Sequence, residues 1–146
     1  MENISVDKAI FTTRSMRRLR PDPVPREDIE HIVEAATMAP SAGNYQMWAF
    51  VAVTDETIRK KIGAAYRESG NSYIRDTVLV DPSTDAERMR VYGKAMYTVE
   101  HLAEAPVIIV ACSTLAIPND SAIAAGPFGS LFPAIQNLML AARGRG

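Results

Sequence analysis

Two short segments of the chain carry residue types at spacings that could do chemistry. The first is Arg14-Ser15-Met16-Arg17-Arg18-Leu19. Guanidinium groups present forked donors and serine adds a hydroxyl, a combination suited to bidentate capture of a phosphate. The second is Pro40-Ser41-Ala42-Gly43-Asn44-Tyr45-Gln46-Met47-Trp48. There Ser41, Asn44 and Gln46 can offer donors and acceptors to the edge of a flat heteroaromatic group, while Ala42 and Gly43 let backbone approach a ligand closely. Taken singly, each segment also reads as something plainer: a solvated basic loop and an ordinary turn. The remaining chemistry-bearing residues are isolated. His31 and His101 are far apart and flanked by acids, which makes them surface residues and not a metal pair. Cys112 lies in an apolar run, where a cysteine packs. Ser121 and Ser130 have no triad context.

The elements that must position the two segments follow from hydrophobic period and capping. Ser5 caps a short helix with Val6, Ala9 and Ile10 on one face, so the arginines start at or just after a helix end. Pro21, Pro23 and Pro25 impose an extended connection, and Pro25 with Glu27 and Asp28 opens a helix whose inner stripe is Ile29, Ile32, Val33 and Ala36. Pro40 ends that helix near Ala39. The run Trp48 to Val53 is expected to be a buried strand, followed by a helix capped at Thr54 or Asp55 with Ile58, Ile62 and Ala65 inward. Residues 70–84 give no readable period. A helix is expected from Asp85 to about Ala103, a second buried strand from Val107 to Cys112, and a last helix carrying Leu131, Ile135, Leu138, Met139 and Ala142, with Gly129 and Ser130 at its start. Two strands do not make a stable sheet alone. Further strands must lie in residues 70–84, beyond Gly146, or in another chain.

Composition narrows the function classes. With 146 residues, 47% hydrophobic and 23% charged, the chain is expected to form one domain over residues 1–146. The formal net charge of −1 gives no global field for nucleic acid or an anionic membrane, and aromatics are not interleaved with the arginines. One cysteine excludes a disulfide framework, and neither a signal segment nor a membrane span is legible, so the expected compartment is the cytoplasm.

Together, in this order and separation, the two segments resemble the nitroreductase family of flavin mononucleotide (FMN) oxidoreductases. The family motif Arg-Ser-x-Arg is matched by Arg14, Ser15 and Arg17, and Pro-Ser-x-x-Asn-x-Gln-Pro-Trp by Pro40, Ser41, Asn44, Gln46 and Trp48, with Met47 in place of the usual proline. Phe132 to Arg143 resembles the family's central helix. The resemblance implies an α+β fold, a mostly antiparallel sheet flanked by helices, with the last strand and C-terminal arm missing after Gly144-Arg145-Gly146. It implies FMN at the interface of a homodimer, NADH or NADPH as hydride donor, and a small-molecule acceptor such as a nitroaromatic or quinone reduced in the same pocket by a ping-pong route. Under it, Arg14 and Ser15 go to the phosphate, Arg17 to the N1 and O2 edge of the ring, Asn44 to the polar edge, Pro40 and Ser41 to backbone and hydroxyl contacts, with Ala42 and Gln46 in the same loop. Arg18 and Arg20 are read as solvated. The flavin carries the chemistry, so no catalytic acid, base or nucleophile is expected. The alternative is a truncated, catalytically silent protein that holds flavin or only dimerises.

Overall fold

A computed structural model of the chain describes residues 4–81, 83–115 and 121–146, with side chains described outside 121–124. The elements in order are α1 (Val6–Thr12), α2 (Arg26–Thr37), β1 (Trp48–Val53), α3 (Glu56–Tyr73), α4 (Ala86–His101), β2 (Ile108–Ser113) and α5 (Ser121–Arg145). Short helical turns at Ala42–Asn44, Ile74–Val78 and Leu102–Glu104 join them. β1 and β2 pair as a two-stranded sheet. Thr114, just past the end of β2, donates its N–H to the carbonyl of Met47, just before β1, at 3.1 Å, which makes the pair antiparallel.

The caps are those the sequence calls for. Ser5 Oγ accepts from the N–H of Lys8 at 3.2 Å, Asp55 Oδ1 from Ile58 at 2.9 Å and Asp85 Oδ1 from Arg88 at 2.8 Å. Each satisfies one otherwise orphaned first-turn donor.

The chain divides into two compact units. One comprises Met1–Arg14, Val24–Ala52 and Ile109–Gly146; the other comprises Ser15–Pro23 and Val53–Ile108. The first is organised by α5. Its core is small: Ala36, Ala39 and Ala134 are buried, with Trp48, Phe50 and Leu138 packed around them. Alanines at the α2–α5 contact let the helix backbones approach closely, and Asn137 Nδ2 locks the pair by donating to the Ala35 carbonyl at 3.3 Å. At the far end of α5, Arg143 Nε donates to Thr12 Oγ1 at 3.2 Å and Arg145 pairs with Asp28 at 3.1 Å.

The second unit packs α3 against α4 and the turn that follows it. Gly63 is buried there, and the packing requires glycine because a Cβ would lie 2.8 Å from that of Ala103. Arg59 then ties the turn down, its Nη1 donating to the carbonyls of Ala103, at 2.9 Å, and Ala105.

Several expectations change. β1 is not a buried strand: of its six residues only Val53 is buried, and Val51 is 51% exposed. β2 starts one residue later than read and is mostly half-buried. The inner faces assigned to α1 and α3 are only partly covered: Ala9 is buried and Ile62 half-buried, while Val6, Ile10 and Ile58 are exposed. A two-stranded ribbon and a core of alanines bury too little surface to cover these apolar residues. Residues 70–84, which showed no period, hold the end of α3 and a wide helical turn at Ile74–Val78; no strand occurs in them among the described residues. The last helix starts at Ser121, well before Gly129. Pro127, Pro133 and two glycines hid its first half. Within the helix, Ser130 Oγ donates one turn back to the Gly126 carbonyl at 3.1 Å.

Candidate functional site

The loop between α2 and β1 is built from backbone strain and a small set of hydrogen bonds. Gly43, Asn44 and Gln46 have φ of 57°, 54° and 51°. Glycine tolerates that region and asparagine visits it, whereas a glutamine there carries a penalty of order 1–3 kcal/mol. Compensation is local. Ser41 Oγ accepts the N–H of Gln46 at 3.1 Å, and Asn44 Oδ1 accepts from Gln46 Nε2 at 3.2 Å. Gly43 cannot be replaced cheaply, because at φ 57° any L side chain is strained.

The loop is also pinned from below. The buried Ser130 on α5 accepts the N–H of Ala42 at 3.1 Å while donating to Gly126, so its hydroxyl is fully used. The sequence marks Ser130 only as a helix start, and its role beneath the loop is not legible because its partner lies 88 residues earlier in the chain. Pro40, Ala42, Asn44 and Gln46 are exposed and Ser41 is half-buried. The structure therefore gathers Pro40, Ser41, Ala42, Asn44 and Gln46 into one rigid, outward-facing polar loop.

The arginine segment is organised differently. Arg14 belongs to the first unit, just past α1, exposed, with Nη1 donating to the Thr13 carbonyl at 2.6 Å. Ser15 and Arg17 belong to the second unit. Arg17 is half-buried, and its Nη1 donates to the Ser15 carbonyl at 3.2 Å. Arg18 is exposed but not merely solvated as expected: its guanidinium lies over the Tyr97 ring, 4.8 Å from the centroid. Arg20 fits the solvated reading, in an exposed 3.6 Å pair with Asp22.

Within the first unit, α5 sets where the loop and the end of α1 are attached. The loop is fastened to Ser130 and α1 to Arg143. These positions are thirteen residues apart on the helix, about 20 Å at 1.5 Å per residue. The loop is thus held near the middle of α5, and the end of α1, which Arg14 follows, near its C-terminal end.

Neither motif contains Asp, Glu, His or Cys. What they provide is fixed positive charge, amide and hydroxyl hydrogen bonding, and close backbone approach. That donor set fits a phosphorylated flat heterocycle. Among the described residues no cluster of His, Cys, Asp and Glu could hold a metal ion, and no helix is long and apolar enough to cross a membrane.

The sequence pattern of the nitroreductase family matches residues 10–146. A 5,6-dimethylbenzimidazole synthase of Rhodospirillum rubrum is 30% identical over 138 residues, covering 91% of this chain and 61% of that protein. A Thermus thermophilus NADH dehydrogenase is 39% identical over 74 residues, covering 49% of this chain and 34% of the relative. The matches thus span about a third to three fifths of these two relatives. Among solved structures, an iodotyrosine deiodinase bound to FMN and 3-iodo-L-tyrosine superposes with a TM-score of 0.75 at 22% identity, over 97% of this chain and 71% of that one. At that identity the likeness establishes the fold, which is the α+β nitroreductase fold.

Proposed function

Because the chain belongs to the nitroreductase family, we propose that it is an FMN-dependent oxidoreductase that works as a homodimer, taking hydride from NADH or NADPH and delivering it to a nitroaromatic, quinone or similar acceptor in the same pocket. Bound FMN would supply the hydride-accepting and hydride-donating chemistry. The chain's own residues bind and orient it. Arg14 with Ser15 takes the phosphate, an exposed guanidinium having five N–H donors of which one bonds the Thr13 carbonyl, so that two remain to form parallel charge-assisted hydrogen bonds. The Asn44 amide and the Ser41 hydroxyl hold the polar edge of the ring, and Pro40, Ala42 and Gln46 line the approach. Arg17 places a half-buried cation where negative charge builds up during reduction, which favours the reduced state.

The observation that carries this reading is the separation along α5. A loop and an α1 helix fastened to α5 at points about 20 Å apart along its axis can serve one ligand when a second copy presents its loop to the first copy's Arg14. The surface of α5 supports that pairing: Phe128, Phe132 and Met139 share one helical face and are 36%, 61% and 43% exposed, with the two phenyl rings stacked 5.5 Å apart. The test is anaerobic. The purified chain is loaded with FMN, bleached with NADH or NADPH, and reoxidised with 4-nitrobenzoate or a benzoquinone. Loss and recovery of the yellow band, with double-reciprocal plots that are parallel, is expected. FMN retained without bleaching would instead mark a protein that holds flavin and is catalytically silent, and no FMN binding at all would overturn the proposal.

A further inference from the structure

The Arg18–Tyr97 contact belongs to a feature that the flavin reading does not use. Along α4, Arg90, Gly93, Lys94 and Tyr97 follow at i, i+3, i+4 and i+7, so they share one face of the helix. That face and residues 15–18 line an open cavity of about 590 Å³. Its charged lining consists of Arg17, Arg18, Arg90 and Lys94, and among the described residues that line it there is no acid. Four cations facing one space repel one another, and neither Arg90 nor Lys94 has an ion-pair partner among the described residues. Three arginines elsewhere on the same unit are neutralised locally: Arg67 by Glu100, Arg75 by Asp76 and Arg88 by Asp81.

The cavity is partly preorganised. Tyr97 is stacked on His101 at 4.0 Å and 9°, and His101 Nδ1 lies 2.8 Å from the Tyr97 carbonyl. Arg18 covers the ring as well. Two planar groups at these separations cannot share a face, so the ring is held from both sides. Gly93 leaves the floor clear. A Cβ there would meet nothing within 4 Å, so packing does not require glycine, although it costs about 1 kcal/mol relative to alanine in a helix.

We propose that Arg18, Arg90 and Lys94, with Tyr97, form an oxyanion subsite that adjoins Arg17 and selects redox substrates carrying a phosphate monoester or a carboxylate. The inference rests on the flavin reading for the word redox; the anion site itself rests on the cavity. Two sources supply such an anion: the additional phosphate that distinguishes NADPH from NADH, and a carboxylate on the acceptor.

Calorimetry on the full chain, with and without FMN, separates them using matched probes: adenosine 2′-monophosphate against adenosine, and 4-nitrobenzoate against its methyl ester. At least one anionic probe is expected to bind tenfold or more tightly than its neutral partner. That advantage is expected to vanish in Arg90→Gln/Lys94→Gln and to shrink with added salt, while the FMN dissociation constant stays within twofold. Whichever pair responds identifies the source. The proposal is overturned if neither pair discriminates, if discrimination survives the double substitution, or if the double substitution weakens FMN but not riboflavin, which would make the cavity the flavin-phosphate site. A chain that binds the anion but no FMN contradicts the flavin reading alone. One that binds FMN without discriminating either pair contradicts the subsite alone.

Discussion

The Ser41–Gln46 loop and the Arg14–Arg18 segment both carry family motifs, yet they are held by opposite means. The loop is fixed through its backbone: three residues at positive φ, a serine hydroxyl closing the turn, and a buried Ser130 beneath it. The arginines are fixed through side chains: short bonds to neighbouring carbonyls and one guanidinium over a tyrosine. A backbone-held site is rigid before its ligand arrives and tolerates few substitutions. A side-chain-held site keeps its charges available and pays their ordering when the ligand binds. Damage to the first should therefore appear in stability and affinity together, and damage to the second in ligand properties alone.

The largest effect is expected where the two regions depend on a second copy. Phe132→Lys puts a charge into the exposed apolar face of α5, and light scattering is expected to move from dimer to monomer with loss of FMN binding. A variant that stays dimeric with unchanged FMN affinity would remove α5 from the interface.

Within the arginine segment, roles should separate. Arg14→Ala removes charge-assisted bonds worth about 1.5–3 kcal/mol, so FMN affinity should fall about 10- to 150-fold with little change in midpoint potential. Arg17→Ala should make the potential more negative and slow reduction by NAD(P)H, because the lost cation favours the reduced ring. If Arg18→Ala shifts the potential and Arg17→Ala does not, the motif is assigned out of register.

Ser130→Ala strikes the loop from beneath without touching the ligand. It leaves the Ala42 N–H unpaired at a part-buried position, which should cost about 1–3 kcal/mol, lower the melting temperature by several degrees, and weaken FMN as well. An unchanged melting temperature would show that the pin does not support the loop.

The smallest effect sharpens the strain argument. Gln46→Gly relieves a positive φ while deleting the amide bonded to Asn44. Stability should rise by up to about 1 kcal/mol as FMN affinity drops. A fall in both would mean that the side chain, and not the backbone, holds the turn.

How much of this was legible in the sequence depended on whether the signal was local. Caps at Ser5 and Asp55, the α2 stripe and both strands could be read because capping and period act over a few residues. Residues 70–84 could not, since their wide turn at Ile74–Val78 has no characteristic period. The first half of α5 was concealed by Pro127 and its glycines, which normally punctuate loops. Motif residues were found from spacing, but what holds them was not: Ser130 reaches Ala42 across 88 positions, and Tyr97 meets Arg18 across the fold. Burial was over-read for β1 and for the faces of α1 and α3, because an apolar run signals a need for cover without saying whether the same chain provides it.

The measurement that tests the central claim most directly is a mixing experiment on FMN binding. Arg14→Ala and Asn44→Ala are each expected to bind FMN poorly, because every site in either homodimer has one defective half. When the two variants are mixed and exchanged at equal concentrations, half the dimers become mixed, and each mixed dimer has one intact site and one doubly defective site. About a quarter of all sites should then recover wild-type affinity. A mixture that titrates as the simple average of the two variants, at a concentration where light scattering shows subunit exchange, would contradict a flavin site shared between two copies.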